Sequence, residues 1–106
     1  MVREVSPAEY QRESAGHRGR VLLDVREPWE REIARIPQTL NVPMAEVAAR
    51  LGEIDRDREI VVMCRSGGRS LKVAKYLEDQ GYPSVSNLTG GILAWARDVD
   101  PTLATY

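Results

Sequence analysis

The chain has 106 residues, 42% hydrophobic and 29% charged, which excludes a disordered chain and reads as one globular domain over residues 1–106. Fifteen Lys and Arg against sixteen Asp and Glu leave a net charge of −1, so no global case exists for nucleic acid or an anionic membrane as partner. No apolar run approaches the ~20 residues of a membrane span, and Met1-Val2-Arg3-Glu4 lacks a signal-peptide core, so the chain reads as cytoplasmic.

A single cysteine, Cys64, excludes an internal disulfide, a paired-thiol redox motif and a cysteine-rich zinc site. With one histidine, His17, in a Gly-flanked turn, no metal site and no other cofactor are expected.

Ser6-Pro7-Ala8-Glu9 opens the first helix, with Ser6 as cap, Pro7 in the first turn and Glu9 closing a capping box; it should end near Gly16. Val21-Leu22-Leu23-Asp24-Val25 reads as a buried strand that ends in polar residues. Pro28 opens a short helix through Ala34, and Leu40-Asn41-Val42 is a short strand. Met44, Val47, Ala48 and Leu51 recur at helical spacing, which predicts a helix closed by Gly52. Ile60-Val61-Val62-Met63 is the clearest strand and delivers Cys64 at its carboxyl end. A helix over 69–80 follows, with Leu71, Ala74 and Leu77 inward, and then a strand, Val85-Ser86-Asn87-Leu88. After Gly90-Gly91 a last helix carries Ile92, Trp95, Ala96 and Val99. Alternating strands and helices imply an α/β fold with a parallel sheet covered on both faces. Sites in such sheets lie beyond the carboxyl ends of the strands, where Asp24, Arg26 and Cys64 all fall.

The informative segment is Cys64-Arg65-Ser66-Gly67-Gly68-Arg69-Ser70. Two glycines allow successive N–H groups to point at one centre, the following helix adds its positive pole, and Arg65 and Arg69 add charge. All three favour a thiolate, so Cys64 is expected to be a nucleophile with a depressed pKa. The same cradle suits an oxyanion or a charged intermediate. An inert buried cysteine is the commoner fate of a free thiol, but a Gly-Gly turn between two arginines is an odd setting for one.

This loop resembles the active-site loop of the rhodanese family, whose thiosulfate-type members read Cys-Arg-x-Gly-x-Arg-Ser. Leu23-Asp24-Val25-Arg26-Glu27 with Trp29-Glu30 is similar to a second hallmark of that family, and Leu88-Thr89-Gly90-Gly91-Ile92 with Trp95 to a third. The resemblance implies a five-stranded parallel sheet with helices on both faces, and a sulfurtransferase in which Cys64 carries a sulfane sulfur as a persulfide. It implies that the loop from Arg65 to Ser70 cradles that sulfur, with Arg65 attracting an anionic donor and Arg69 bracing the loop. Asp24 and Arg26 would support the strand edge without reacting. Donor and acceptor would be thiosulfate or a protein persulfide, and cyanide or a thiol; a sulfur-carrier or persulfide-donating protein is a candidate partner. The family's His-Ile-x-Gly-Ala is replaced here by Arg35-Ile36-Pro37-Gln38-Thr39.

Three other readings stand beside it. A cysteine phosphatase or arsenate reductase also uses a Cys–Arg loop, but with five residues between the two, where only four separate Cys64 from Arg69. A relay module would pass sulfur within a complex, and the stretch from Trp95 to Tyr106 resembles rhodanese domains fused behind adenylyltransferases. A redox sensor would need an exposed, low-pKa cysteine.

Overall fold

The structure is a computed structural model that describes residues 2–14 and 19–106. Five parallel strands, β1 (Arg3–Val5), β2 (Arg20–Asp24), β3 (Leu40–Asn41), β4 (Glu59–Met63) and β5 (Val85–Leu88), form one sheet in the order β1-β5-β4-β2-β3. Among the described residues, α1 (Pro7–Ser14), α2 (Pro28–Ile33) and α3 (Gly68–Asp79) connect strands, and α4 (Gly91–Asp98) follows β5.

Why the sheet is covered on both sides follows from the period of two along β4. Ile60, Val62 and then Cys64 point to one face, where they join Leu23, Val73, Ala74 and Leu77. Val61 and Met63 point to the other, against Leu22, Ile92 and Trp95, with Tyr10 of α1 edge-on to Trp95 at 5.8 Å. Parity alone therefore aims Cys64 at the side covered by α3. The uninterrupted apolar run Ile60-Val61-Val62-Met63 of β4 suits the middle of a parallel sheet, where both faces are dry.

The capping box at α1 is present: the Ser6 N–H donates to Glu9 Oε1 at 3.0 Å and the Glu9 N–H to Ser6 Oγ at 3.1 Å. The predicted end of that helix, and His17, lie outside the described residues.

The five strands match the sheet the resemblance implies, and two expectations about elements are corrected. No helix spans Met44 to Leu51; the segment forms two short 3-10 turns, Met44–Glu46 and Leu51–Glu53. Met44 and Ala48 are exposed and only Val47 is buried, so the helical spacing had little apolar area to reward it. The inward face of α3 is Ser70, Val73, Ala74 and Leu77, with Leu71 only half-buried. The fifth strand, β1, was not read from the residues, because a three-residue edge strand that buries Val5 alone carries no alternation.

Candidate active site

The cysteine loop takes its shape from what its carbonyls do. The Cys64 carbonyl accepts the N–H of Ile92 at 2.9 Å, and that of Arg65 accepts the N–H of Leu93 at 3.1 Å. Both donors belong to the first turn of α4, whose N–H groups have no helical acceptor. With the carbonyls turned outward, the loop N–H groups turn inward. The Gly67 N–H reaches Cys64 Sγ at 3.1 Å and the Ser70 N–H at 3.4 Å.

Two glycines are required by geometry. Gly91, at φ +59°, packs so closely on the loop that a Cβ would stand 2.4 Å from the Cys64 oxygen. Gly67, at φ +109°, makes the turn that redirects the N–H groups. Gly68, expected to share that task, has no positive φ, and a Cβ there would meet nothing within 4 Å.

Cys64 is 1% exposed, so the open thiol of the sensor reading is absent. Burial pushes the thiol up, but the Ser70 hydroxyl and the N–H groups of Ser70, Gly67 and Ser66 outweigh it and hold Cys64 below the usual thiol value. Ser66 thus acts through its backbone, and its side chain lies in an exposed position. The Ser70 hydroxyl lies 3.3 Å from Sγ and donates to Asn87 Oδ1 at 2.6 Å.

Both loop arginines are engaged within the protein. Arg69 makes a two-pronged ion pair with Glu30 of α2, at 2.7 and 2.8 Å, so its charge is matched before any ligand arrives. Arg69 holds the Glu30 carboxyl down at about 2, against the cost of burial, and the Tyr106 hydroxyl adds a further donor at 2.7 Å. Arg65 donates to the main-chain oxygen of Tyr106 and lies 5.2 Å from that ring. Asp24 and Arg26 form a fully buried pair at 2.9 Å. Arg26 also donates to the carbonyl of Ala34 at 2.9 Å and to the Tyr106 hydroxyl at 3.0 Å, so it ties β2 to the end of α2 and to the chain's last residue.

Glu30, Asn87 and Tyr106 therefore belong to the site's framework and were not assigned that part from sequence. Glu30 stood in the second family hallmark without a role, and Asn87 carried a signal of its own: a polar amide in a buried four-residue strand needs a partner. Among the described residues no cluster of ligating side chains could hold a metal ion, and no helix is long and apolar enough to cross a membrane. Chemically, the arrangement can stabilise negative charge on one sulfur and on an atom attached to it.

Comparison with known proteins agrees with this geometry. Residues 6–98 match the rhodanese-like domain family. A sulfurtransferase of Allochromatium vinosum is 41% identical over 104 residues, covering 98% of this chain and 97% of the relative. An adenylyltransferase and sulfurtransferase of Arabidopsis thaliana is 32% identical in an alignment that covers 81% of this chain but 22% of that protein. A rhodanese-like domain protein from Staphylococcus aureus superposes with a TM-score of 0.84 at 26% identity, covering 99% of each chain. A fold built around Cys64 in this way, matched in sequence over nearly its whole length, places the chain in the rhodanese-like family.

Proposed function

We propose that the protein is a sulfurtransferase that moves a sulfane sulfur through a persulfide on Cys64. The observation that carries this reading is the convergence of the loop N–H groups and the Ser70 hydroxyl on a single sulfur atom at 3.1–3.4 Å. In the first half-reaction the Cys64 thiolate attacks the outer sulfur of thiosulfate. The donor's S–S bond breaks, sulfite leaves with the electron pair, and the new Cys64 S–S bond carries the negative charge on its outer atom. In the second half-reaction cyanide or a thiolate attacks that outer sulfur and returns Cys64 as thiolate. The loop N–H groups of Ser66, Gly67 and Ser70 and the pole of α3 offset the charge throughout. Arg65 captures the anionic donor on exchanging its contact with Tyr106 for the donor's oxygens. Arg69, Asp24 and Arg26 hold the frame.

Likeness to the Arabidopsis adenylyltransferase and sulfurtransferase supports a second version, in which the donor or acceptor is a persulfide or sulfur-carrier protein. Its chemistry at Cys64 is the same and only the partner differs. The test is thiocyanate formation from cyanide, with thiosulfate and mercaptopyruvate compared as donors. Wild type should favour thiosulfate and Cys64→Ser should be inactive while melting normally; turnover by the folded serine variant would exclude Cys64 as the carrier.

A further inference from the structure

Asn87 has no place in the chemistry above, yet it is buried at 3% exposure beside the reacting sulfur's hydroxyl partner. Its amide can face only one way. Nδ2 lies 3.1 and 3.3 Å from the two Glu4 carboxylate oxygens and 3.3 Å from the Gly67 carbonyl, all acceptors. Oδ1 must therefore face Ser70 Oγ at 2.6 Å, and an amide oxygen there can only accept. The Ser70 hydroxyl has one proton and two claimants: Asn87 Oδ1 at 2.6 Å and Cys64 Sγ at 3.3 Å.

While Cys64 is a thiol, its S–H donates to Ser70 and the Ser70 proton stays on Asn87. Once Sγ is a thiolate it has nothing to donate, and it competes with Asn87 Oδ1 for the hydroxyl proton. When sulfur transfer moves the charge to the outer sulfur, the claim of Sγ lapses and the proton returns to Asn87. We propose that Asn87 is a positioning residue that sets how strongly Ser70 stabilises the bare Cys64 thiolate, and so biases the site toward the persulfide. The persulfide half of this rests on the proposed sulfur transfer; the thiolate half does not.

The experiment is a cycle of Asn87→Leu, Ser70→Ala and the double variant, read by the pH dependence of Cys64 alkylation with iodoacetamide. Ionisable groups around the sulfur are Arg65 in the loop, Arg69 on α3, Glu30 on α2, Glu4 on β1, the Asp24–Arg26 pair at the end of β2, and Tyr106; all are common to the four proteins. Freeing the hydroxyl in Asn87→Leu should lower the alkylation midpoint by about 0.5–1 pH unit, the worth of one modest hydrogen bond. Ser70→Ala should raise the midpoint, and adding Asn87→Leu to it should move nothing further. At a fixed thiosulfate-to-sulfite ratio, intact mass should show the persulfide equilibrium constant about three- to tenfold lower in Asn87→Leu than in wild type.

An equal shift from Asn87→Leu with and without Ser70, or no shift with Ser70 present, overturns the proposal. Asn87→Val, which suits a strand, gives the same readings if the leucine variant does not fold. A midpoint that moves as described in a protein that never forms a persulfide would leave Asn87's control of the thiolate standing and refute sulfur transfer instead.

Discussion

At the scale of single residues, the two loop glycines separate what the backbone requires from what the sequence pattern suggests. Gly67 holds φ +109° and aims an N–H at Cys64 Sγ, whereas Gly68 opens α3 with free space beside it. Gly67→Ala should therefore cost about 1–3 kcal/mol of stability and raise the pH midpoint of Cys64 alkylation. Gly68→Ala should leave that midpoint unchanged and gain about 0.4–1 kcal/mol, because alanine restricts the unfolded chain. Thermal melting and the alkylation profile together check both. The Cys64 loop was legible because its chemistry is written in adjacent residues. Glu30, Asn87 and Tyr106 were not, because each acquires its part only by crossing from another element: α2 to α3, β5 to α3, and the chain's end to α2.

At the scale of elements, Glu30 is the clamp between α2 and α3. Its carboxyl is lowered to about 2 in the folded protein, from an ordinary value of 4.5. A depressed carboxyl stabilises the fold above its unfolded pKa and loses that contribution as pH falls through the folded one. Wild type should thus lose stability between about pH 5 and pH 2, on the order of 2–3 kcal/mol from this group, while Glu30→Gln is less stable at pH 7 and lacks that part of the acid slope. Urea titrations at several pH values measure the difference; parallel curves for the two proteins would mean the clamp does not act as described. The approach to β3 holds backbone strain. Gln38 has φ 64°, in the left-handed region, at the place where the family pattern puts glycine. Gln38→Gly should remove a cost of roughly 1–2 kcal/mol, partly offset by the freer unfolded chain, and raise the melting temperature.

At the scale of the whole molecule, β2, β4, β5, α3 and α4 were legible because each buries a run or face of its residues, while α1 and α2 were legible from their start signals, Ser6-Pro7 and Pro28. Legibility failed where burial is slight. β1 contributes one buried residue, and the segment from Met44 to Leu51 has a helical spacing whose alanine and methionine face water. Closure of the molecule over its site was also hidden, since Tyr106 meets Glu30, Arg26 and Arg65 across 76, 80 and 41 residues of chain. That closure shapes the expectation for Arg65. Arg65→Ala should weaken use of thiosulfate, with the loss shrinking at high salt if the guanidinium acts on the donor's charge. A loss equal at all ionic strengths would mean that Arg65 serves only to hold the Tyr106 segment.

The central claim is that Cys64 carries the sulfur covalently, and intact mass spectrometry after brief exposure to thiosulfate tests it most directly. Wild type should gain the mass of one sulfur atom, lose it on addition of cyanide or a thiol, and show the gain on the peptide containing Cys64. Thiocyanate production by a wild-type protein that never gains this mass would contradict the persulfide account.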